Sequence, residues 1–238
     1  MQEQRIRLYG AAALAALAAA TGGCTDAGGS FFIVQNQIPG DRCLISPTAG
    51  DARPRGRIDV QASDGYLFTP VVESRVESTP ATMNSRVIAV EGADVDVTFL
   101  DGLFSSSEES QLRDDRLTRF SQPFSGSVFP GSSSSFGFII LPAALLDRIA
   151  DKLGDGDSTQ VVADIVVFGQ MNDGDVESDP FRYPVDVCNG CMLVDRGPCA
   201  DLATGFEASP GGVCNLLQDV PLDCCSEGGA QVCPAEGS

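Results

Sequence analysis

The sequence predicts an all-β protein, an antiparallel β-sandwich with one short helix, followed by a small, irregular, disulfide-rich appendage. About eight segments between residues 31 and 187 are predicted to be strands, and several of them alternate apolar and polar residues, which is the period of a half-buried strand. One segment has helical spacing, and seven of the nine Cys follow residue 187. We therefore divide the chain into a signal peptide (1–23), a tether (24–30), the sandwich (31–187) and the appendage (188–238).

The first 23 residues have the features of a secretory signal peptide. Arg5 and Arg7 precede an apolar run over residues 8–20, which is shorter than the ~20 residues that a membrane-spanning helix needs. Gly22 and Gly23, directly before Cys24, resemble the lipobox of bacterial lipoproteins. This resemblance implies that Cys24 is diacylated and becomes the mature N-terminus.

Two alternatives remain for this segment. Cleavage after Ala18, Ala19 and Ala20 would leave Cys24 as a plain cysteine, and an Ala-rich core helix is the third reading. The absence of an amphipathic stripe argues against the core helix. Thr25 after the lipidated Cys, in place of Asp, resembles lipoproteins sorted to the outer membrane, so we expect that location.

The strands of the sandwich are predicted from alternation. Val95, Val97 and Phe99 should face the core, and Asp94, Asp96 and Thr98 the solvent. In the same way Ile58, Val60 and Ala62 should face inward, and Arg57, Asp59 and Gln61 outward. The predicted strands are 31–37, 57–63, 65–74, 93–99, 123–129, 136–140, 158–169 and 181–187.

A single helix is predicted in this part of the chain. Pro142 stands at its start, Leu145, Ile149 and Leu153 recur at helical spacing, and Gly154 stands at its end. Residues 105–118 are polar and are predicted to form a solvated loop.

The order of these elements resembles a known family. A "PGSSSS" turn, an "FGFII" strand, a short helix, a long strand and a "YPVDV" strand follow one another over residues 55–188. This order is similar to the late-embryogenesis-abundant, water-stress (WHy-type) domains. The resemblance implies an immunoglobulin-like sandwich, and a binding or structural role in place of catalysis.

The appendage resembles the Cys-rich tails of uncharacterised envelope lipoproteins from GC-rich Gram-negative bacteria, for which no activity is assigned. Cysteines of an exported chain are expected to form disulfides, and a segment this small needs them for stability. Seven Cys in the appendage is an odd number, so one bridge should join it to Cys43. The predicted disulfide cysteines are Cys43, Cys188, Cys191, Cys199, Cys214, Cys224, Cys225 and Cys233.

Two local cysteine patterns allow further readings. Cys188 and Cys191 form a CxxC, which could be a redox pair, although it follows a strand into irregular chain and does not open a helix. The vicinal Cys224 and Cys225 are expected to bond two different partners.

Composition limits the function. The net charge is −18, which argues against nucleic acid as a partner. The chain has no His, which excludes Ser-His-Asp and Cys-His catalysis, and its one Lys, Lys152, is read as a solvated helix charge. A hydrolase of envelope polymers that uses two carboxylates is the enzymatic alternative.

Two acidic runs suggest a second alternative, a calcium-dependent surface adhesin. Asp and Glu oxygens are ligands that Ca²⁺ prefers, but turn residues on an acidic surface explain the same runs. The weak calcium candidates are Asp151, Asp155, Asp157, Asp173, Asp175 and Glu177. We expect no cofactor, no enzyme activity, and a lipid-anchored envelope protein that binds an envelope or surface protein or polysaccharide, or serves a structural role.

Overall fold

The computed structural model describes residues 31–62, 64–77, 79–82, 86–172, 174–202 and 206–233. This part of the chain is mostly β-structure, which confirms the predicted class at that level. Its strands are β1 (Phe31–Asn36), β2 (Gly56–Asp59), β3 (Tyr66–Phe68), β4 (Pro70–Ser74), β5 (Ile88–Phe99), β6 (Arg119–Val128), β7 (Ser133–Ser135), β8 (Phe138–Leu141), β9 (Ser158–Met171), β10 (Gly174–Glu177), β11 (Phe181–Cys188), β12 (Leu193–Pro198), β13 (Leu222–Glu227) and β14 (Ala230–Val232). Its α-helices are α1 (Ser106–Asp114) and α2 (Ala143–Ala150).

The largest sheet, here called the central sheet, has the strand order β2-β11-β9-β5-β6, and β10 also pairs with β9. Two smaller sheets, β1-β4-β7 and β3-β8, come from the same part of the chain. Most pairs are antiparallel, but β2 and β11 are parallel, which differs from the predicted antiparallel arrangement. The long stretch of chain between β2 and β11 supplies the crossover that a parallel pair requires.

One hydrophobic cluster joins the inner face of the central sheet to the small sheets and to α2. The Phe68 ring from β3 lies 5.0 Å from Tyr183 of β11 and 5.6 Å from Phe138 of β8, centroid to centroid. Val95, Val97 and Phe99 are buried, as the alternation predicts. Because these residues face the core, Asp94 and Asp96 lie on the opposite face of β5, which points toward solvent.

The predicted helix is α2. Pro142 is its N-cap residue, Leu145 and Ile149 are fully buried, and Leu153 beyond its end is also buried. The spacing of these three residues follows one face of a helix, and that face packs into the core.

A second helix, α1, lies where the sequence analysis expects a solvated loop, so that prediction and the count of one helix are wrong. Only Leu112 of α1 is buried, which explains why no apolar stripe was visible. Its N-terminus has a capping box: Ser105 Oγ accepts from the Glu108 backbone N–H, and the Glu108 carboxylate accepts from the Ser105 N–H. Capping satisfies helix-end donors without any apolar face.

The appendage is less irregular than predicted. Strands β12, β13 and β14 form a three-stranded sheet, with β12 parallel to β13 and β14 antiparallel to it. These strands are short and partly exposed, so they lack the alternation by which a half-buried strand is recognised. The short strands β7 and β10 lie within or beside predicted turns for the same reason.

All eight predicted cysteines form disulfides, which confirms the expectation of a disulfide-bonded appendage. Cys43 is joined to Cys214, so the predicted bridge out of the cluster is present. Cys224 and Cys225 bond different partners, as expected. The remaining bridges are Cys188–Cys191, Cys199–Cys225 and Cys224–Cys233.

Polar contacts also attach the appendage to the core. The Gln218 side-chain amide donates to the Leu67 carbonyl at 2.8 Å and accepts from the Leu67 N–H at 2.9 Å, which imitates a strand pair. Leu217 O accepts from the Asp59 N–H, and Asp219 N–H donates to Arg57 O. Residues 217–219 thereby cover the outer edge of β2, which would otherwise be unpaired.

Candidate functional site

A concavity with a volume of about 1230 Å³ lies on the solvent side of the central sheet. We call it the charged groove. Its floor is the outward face of β5, β6, β9 and β11. The opposite face of these strands packs in the hydrophobic core. Its charged residues are Asp94, Asp96, Arg116, Arg119, Asp164, Glu177 and Arg182.

Strand register aligns four of these side chains across the sheet. Asp164 of β9 is opposite Arg182 of β11 and opposite Asp96 of β5, and Asp96 is opposite Arg119 of β6. The order across the sheet is therefore Arg182, Asp164, Asp96, Arg119, which we call the Arg–Asp ladder. Like charges directly opposite one another are destabilising, so each carboxylate of the central pair needs a cation.

Arginines supply these cations. Arg182 Nε lies 3.1 Å from Asp164 Oδ1, and Arg119 Nε lies 3.8 Å from Asp96 Oδ2. Arg113 of α1 reaches down to Asp96, with Nη2 3.6 Å from Oδ1. Helix α1, absent from the sequence-based prediction, thus contributes one of the charges that hold the ladder.

Among the buried side-chain oxygen and nitrogen atoms of the described residues, Asp96 Oδ1 is the one without a hydrogen-bond partner. Its contact with Arg113 is an ion pair at 3.6 Å, longer than a hydrogen bond. A buried acceptor without a donor is uncommon in folded proteins and is often satisfied by water or a ligand. Asp96 Oδ1 is covered by the surrounding side chains, and the Arg113 guanidinium is the cation that faces it.

The walls of the groove contain both polar and apolar residues. Ser121 Oγ donates a hydrogen bond to Asp94 Oδ1 across the β5–β6 pair. Glu177 of β10 and Pro180 after it form the wall on the β11 side. The groove therefore presents charged groups of both signs next to apolar surface from Phe120, Val166 and Pro180, a combination that suits a ligand with both polar and apolar parts, such as a carbohydrate or a peptide.

The calcium candidates do not converge. Asp151, Asp155 and Asp157 lie before β9, and Asp175 and Glu177 lie after it, all exposed; Asp173 lies outside the described residues. A strand of the length of β9 separates the two runs by about 40 Å at ~3.3 Å per residue. Asp157 accepts from the Gly154 N–H at 3.2 Å, which is a turn role. Glu177 lines the charged groove.

One group in the described residues brings three metal-type donors together: Asp59, Cys188 and Cys191, within 4.8 Å of one another. Both cysteines are in one disulfide, so their sulfur atoms are not free thiolates. Cys24 lies outside the described residues. No helix in the described part of the chain is long and apolar enough to span a membrane.

The sequence signalled this site only in part. Alternation placed Asp94 and Asp96 on the solvent face of their strand, which is where they are. Nothing in the sequence shows that Asp164 is opposite Asp96, because register between β5 and β9 depends on the whole core. No known family model and no curated protein sequence matches this chain.

Proposed function

We propose that this chain is an exported lipoprotein, anchored in the outer membrane through Cys24, that acts as a non-enzymatic binding or structural module of the cell envelope. Residues 31–187 would form an immunoglobulin-like sandwich similar to WHy-type domains. A single core shared by the central sheet and the two smaller sheets supports that architecture.

The observation that carries the export proposal is the pairing of all eight cysteines from Cys43 to Cys233 in four disulfides. Disulfides persist in oxidising compartments and are rare in the cytosol. The pairing leaves Cys24 as the one cysteine of the chain that these bridges do not use. A spare cysteine directly after a signal-like segment is what lipidation at Cys24 requires.

Metabolic labelling with a fatty-acid analogue tests the anchor. We expect the wild-type chain to be labelled and to fractionate with membranes, and the Cys24→Ser variant to be unlabelled and released, because two acyl chains give stable anchoring. A Thr25→Ser variant is the matched control and should behave as wild type. Equal labelling of the wild type and the Cys24→Ser variant would contradict the proposal.

The charged groove is the proposed binding surface. Its four ladder side chains lie in register on the sheet and are ion-paired with one another, which points them into the groove. Its mixture of guanidinium donors and carboxylate acceptors matches the hydroxyls and amides of an envelope polysaccharide or of a polar protein surface.

Co-sedimentation with isolated cell-envelope polysaccharide tests the groove. We expect an Arg119→Ala, Arg182→Ala variant to bind at least tenfold more weakly, since each charge-assisted hydrogen bond contributes about 1.5–3 kcal/mol. An Arg55→Ala, Arg148→Ala variant is the control, because it removes two exposed ion-paired arginines outside the groove. If both variants lose affinity equally, the groove is not the binding surface.

A carboxylate-based hydrolase is the second candidate, and one observation favours it. Asp96 and Asp164 are directly opposite in register, so two carboxylates lie side by side on the floor of the groove, and a pair of carboxylates is what glycoside hydrolysis uses. Both carboxylates face arginines, whereas a general acid needs apolar surroundings that keep it protonated. The pair therefore suits binding better than acid catalysis. The calcium-dependent adhesin remains an alternative prediction.

A further inference from the structure

The Cys188–Cys191 disulfide differs from the other three in the chain segment that it closes. Its cysteines are 3 residues apart, whereas the other bridges span 9, 26 and 171 residues. The stabilisation from a disulfide increases with the length of the loop it closes, so this bridge constrains the unfolded chain least.

The turn that contains this disulfide is also held by other bonds. The Asn189 N–H donates to Asp157 O at 3.0 Å, and the Gly156 N–H donates to Asn189 O at 2.9 Å. The Asn189 side chain donates to Leu153 O at 3.1 Å, and the Val60 N–H donates to Cys188 O at 2.8 Å. None of these bonds uses a sulfur atom, so reduction of the disulfide removes none of them.

The two sulfur atoms have different surroundings. Cys188 is 2% exposed, whereas Cys191 is partly exposed. The Ile58 carbonyl oxygen lies 3.5 Å from Cys188 Sγ, and in the disulfide this sulfur has no hydrogen to donate to it. A Cys188 thiol would have that hydrogen, so the site already provides an acceptor for the reduced form.

A buried carboxylate completes the site. Asp59 is fully buried, contrary to the alternation that predicts it on the solvent face, and accepts from the N–H groups of Gln61 and Met192, both at 3.1 Å. One of its carboxylate oxygens lies within 4.8 Å of both sulfur atoms. At such a separation a carboxylate can accept the proton of a buried thiol through one intervening water, and so generate the nucleophilic thiolate.

We propose that Cys188, Cys191 and Asp59 form a thiol–disulfide exchange site, independent of the charged groove. A small or protein dithiol supplies the two electrons that convert the disulfide into two thiols. The Cys191 thiolate then attacks a substrate disulfide, the substrate S–S bond breaks, and one substrate thiolate leaves and takes up a proton.

The second step closes the ring again. Asp59 accepts the proton of Cys188, whose sulfur attacks Cys191 Sγ in the mixed disulfide. The Cys188–Cys191 bond re-forms, the second substrate thiolate leaves, and it takes up the proton that Asp59 releases. In total two electrons pass from the reduced Cys188 and Cys191 pair to the substrate disulfide, and this chain returns to the disulfide form seen in the structure.

Single-thiol variants test the assigned roles of the two sulfur atoms. In a Cys24→Ser background, the Cys188→Ser variant leaves Cys191 as the one free thiol, and the Cys191→Ser variant leaves Cys188. We expect dithionitrobenzoate to react with Cys191 at least tenfold faster than with Cys188. Equal rates, or a faster reaction of Cys188, would overturn the proposal.

Limited reduction tests the reactivity of the disulfide in the full chain. With substoichiometric dithiothreitol under native conditions, followed by iodoacetamide and peptide mapping, we expect Cys188 and Cys191 to be alkylated before the other six disulfide cysteines. Reduction of Cys43–Cys214, Cys199–Cys225 or Cys224–Cys233 first, or of all four together, would show that the bridge is only structural.

The lifetime of the mixed disulfide tests the role of Asp59. After reaction of the dithiol form with glutathione disulfide, we expect the Asp59→Asn variant to retain the Cys191 adduct at least tenfold longer than the wild type. The Asp157→Asn variant, altered at an exposed carboxylate of the neighbouring turn, should resolve its adduct at the wild-type rate. An unchanged lifetime in the Asp59→Asn variant would show that Asp59 has no part in the exchange reaction. The roles of Cys188 and Cys191 would then be judged from the single-thiol variants alone.

Discussion

The hydroxyl groups of Tyr66 and Tyr183 lie 2.9 Å apart in the core, at the point where the appendage meets the central sheet. Tyr66 donates to the Asp219 carboxylate at 3.1 Å, so Tyr183 donates to Tyr66 and in turn accepts from Asn36 Nδ2 at 2.7 Å. Arg53 pairs with Asp219 at 2.9 Å. The buried hydroxyls are therefore satisfied only while Asp219 remains docked.

This arrangement predicts alkaline destabilisation. Burial raises the pKa of Tyr66 well above its usual value, an effect that Tyr183 reinforces, and burial also raises the pKa of Tyr183. When the pKa of a tyrosine is higher in the folded than in the unfolded chain, its contribution to the free energy of unfolding is complete below the unfolded-state pKa, near 10. This contribution is lost as the pH rises further. We expect the free energy of unfolding to fall above pH ~10 by up to ~1.4 kcal/mol per pH unit for each tyrosine.

Urea unfolding between pH 8 and 11 measures this loss, in a Cys24→Ser background that has no thiol to reshuffle disulfides. The Tyr66→Phe variant should show a shallower pH dependence than its parent, and it should be less stable at pH 8 by about 1–3 kcal/mol because Asp219 loses a donor. Parallel pH profiles for the two proteins would contradict this account.

Individual side chains also show where alternation stops being informative. Val95, Val97 and Phe99 face the core as their strand pattern predicts, because β5 pairs with a strand on each side. Asp59 does not follow its pattern, because β2 ends there and residues of the appendage cover it. A period of two describes one strand, and it carries no information about the chain that later packs over the end of that strand.

Among the helices, α1 is held by charges where α2 is held by apolar packing. Lys152 Nζ lies 2.6 Å from Glu108 Oε1, Arg148 pairs with Asp115, and Arg113 pairs with Asp96. The sequence analysis read Lys152 as a solvated charge because its partner lies 44 residues away. The capping box Ser105-x-x-Glu108 was the local signal that could have revealed α1.

The Glu108–Lys152 pair predicts that the protection of α1 depends on pH. The Lys152 ammonium, together with the backbone and hydroxyl of Ser105, lowers the pKa of Glu108 from 4.5 to about 2. When the pKa of a carboxyl group is lower in the folded than in the unfolded chain, its ionised form stabilises the fold above pH ~4.5. This stabilisation is lost as the pH falls through the folded-state pKa. We expect amide exchange in 106–114, corrected for its intrinsic pH dependence, to accelerate over that window while β9 stays protected.

Removing the cation should have the same effect at neutral pH. In the Lys152→Met variant the amides of α1 should exchange severalfold faster than in the wild type, and added salt should narrow the difference because exposed ion pairs are screened. The Arg55→Met variant, which removes a different exposed ion pair, should leave α1 unchanged. Unaltered exchange in the Lys152→Met variant would mean that Leu112 packing and the capping box suffice.

At the scale of the whole molecule, the appendage and the core are one connected unit. The odd number of appendage cysteines, together with the assignment of Cys24 to lipidation, predicted a bridge to Cys43 without any structure. The choice of Cys214 was not predictable, because it follows from residues 217–219 lying along β2 and from Gln218 pairing with Leu67. The parallel pairing of β2 with β11 was hidden for the same reason, as both are contacts between distant parts of the chain.

The Cys43–Cys214 bridge spans 171 residues and the Cys199–Cys225 bridge spans 26, so their removal should have unequal effects. The chain-entropy model gives at most about 5 kcal/mol for the longer loop and about 3.5 kcal/mol for the shorter one. We expect a Cys43→Ser, Cys214→Ser variant to unfold at lower urea than a Cys199→Ser, Cys225→Ser variant. All four cysteines are partly exposed, so lost packing contributes little to the difference.

Because Gln218 and Asp219 still hold the appendage, the Cys43→Ser, Cys214→Ser variant should keep the amide protection of β2 below its unfolding midpoint. Early loss of that protection would show that docking of the appendage depends on the disulfide alone.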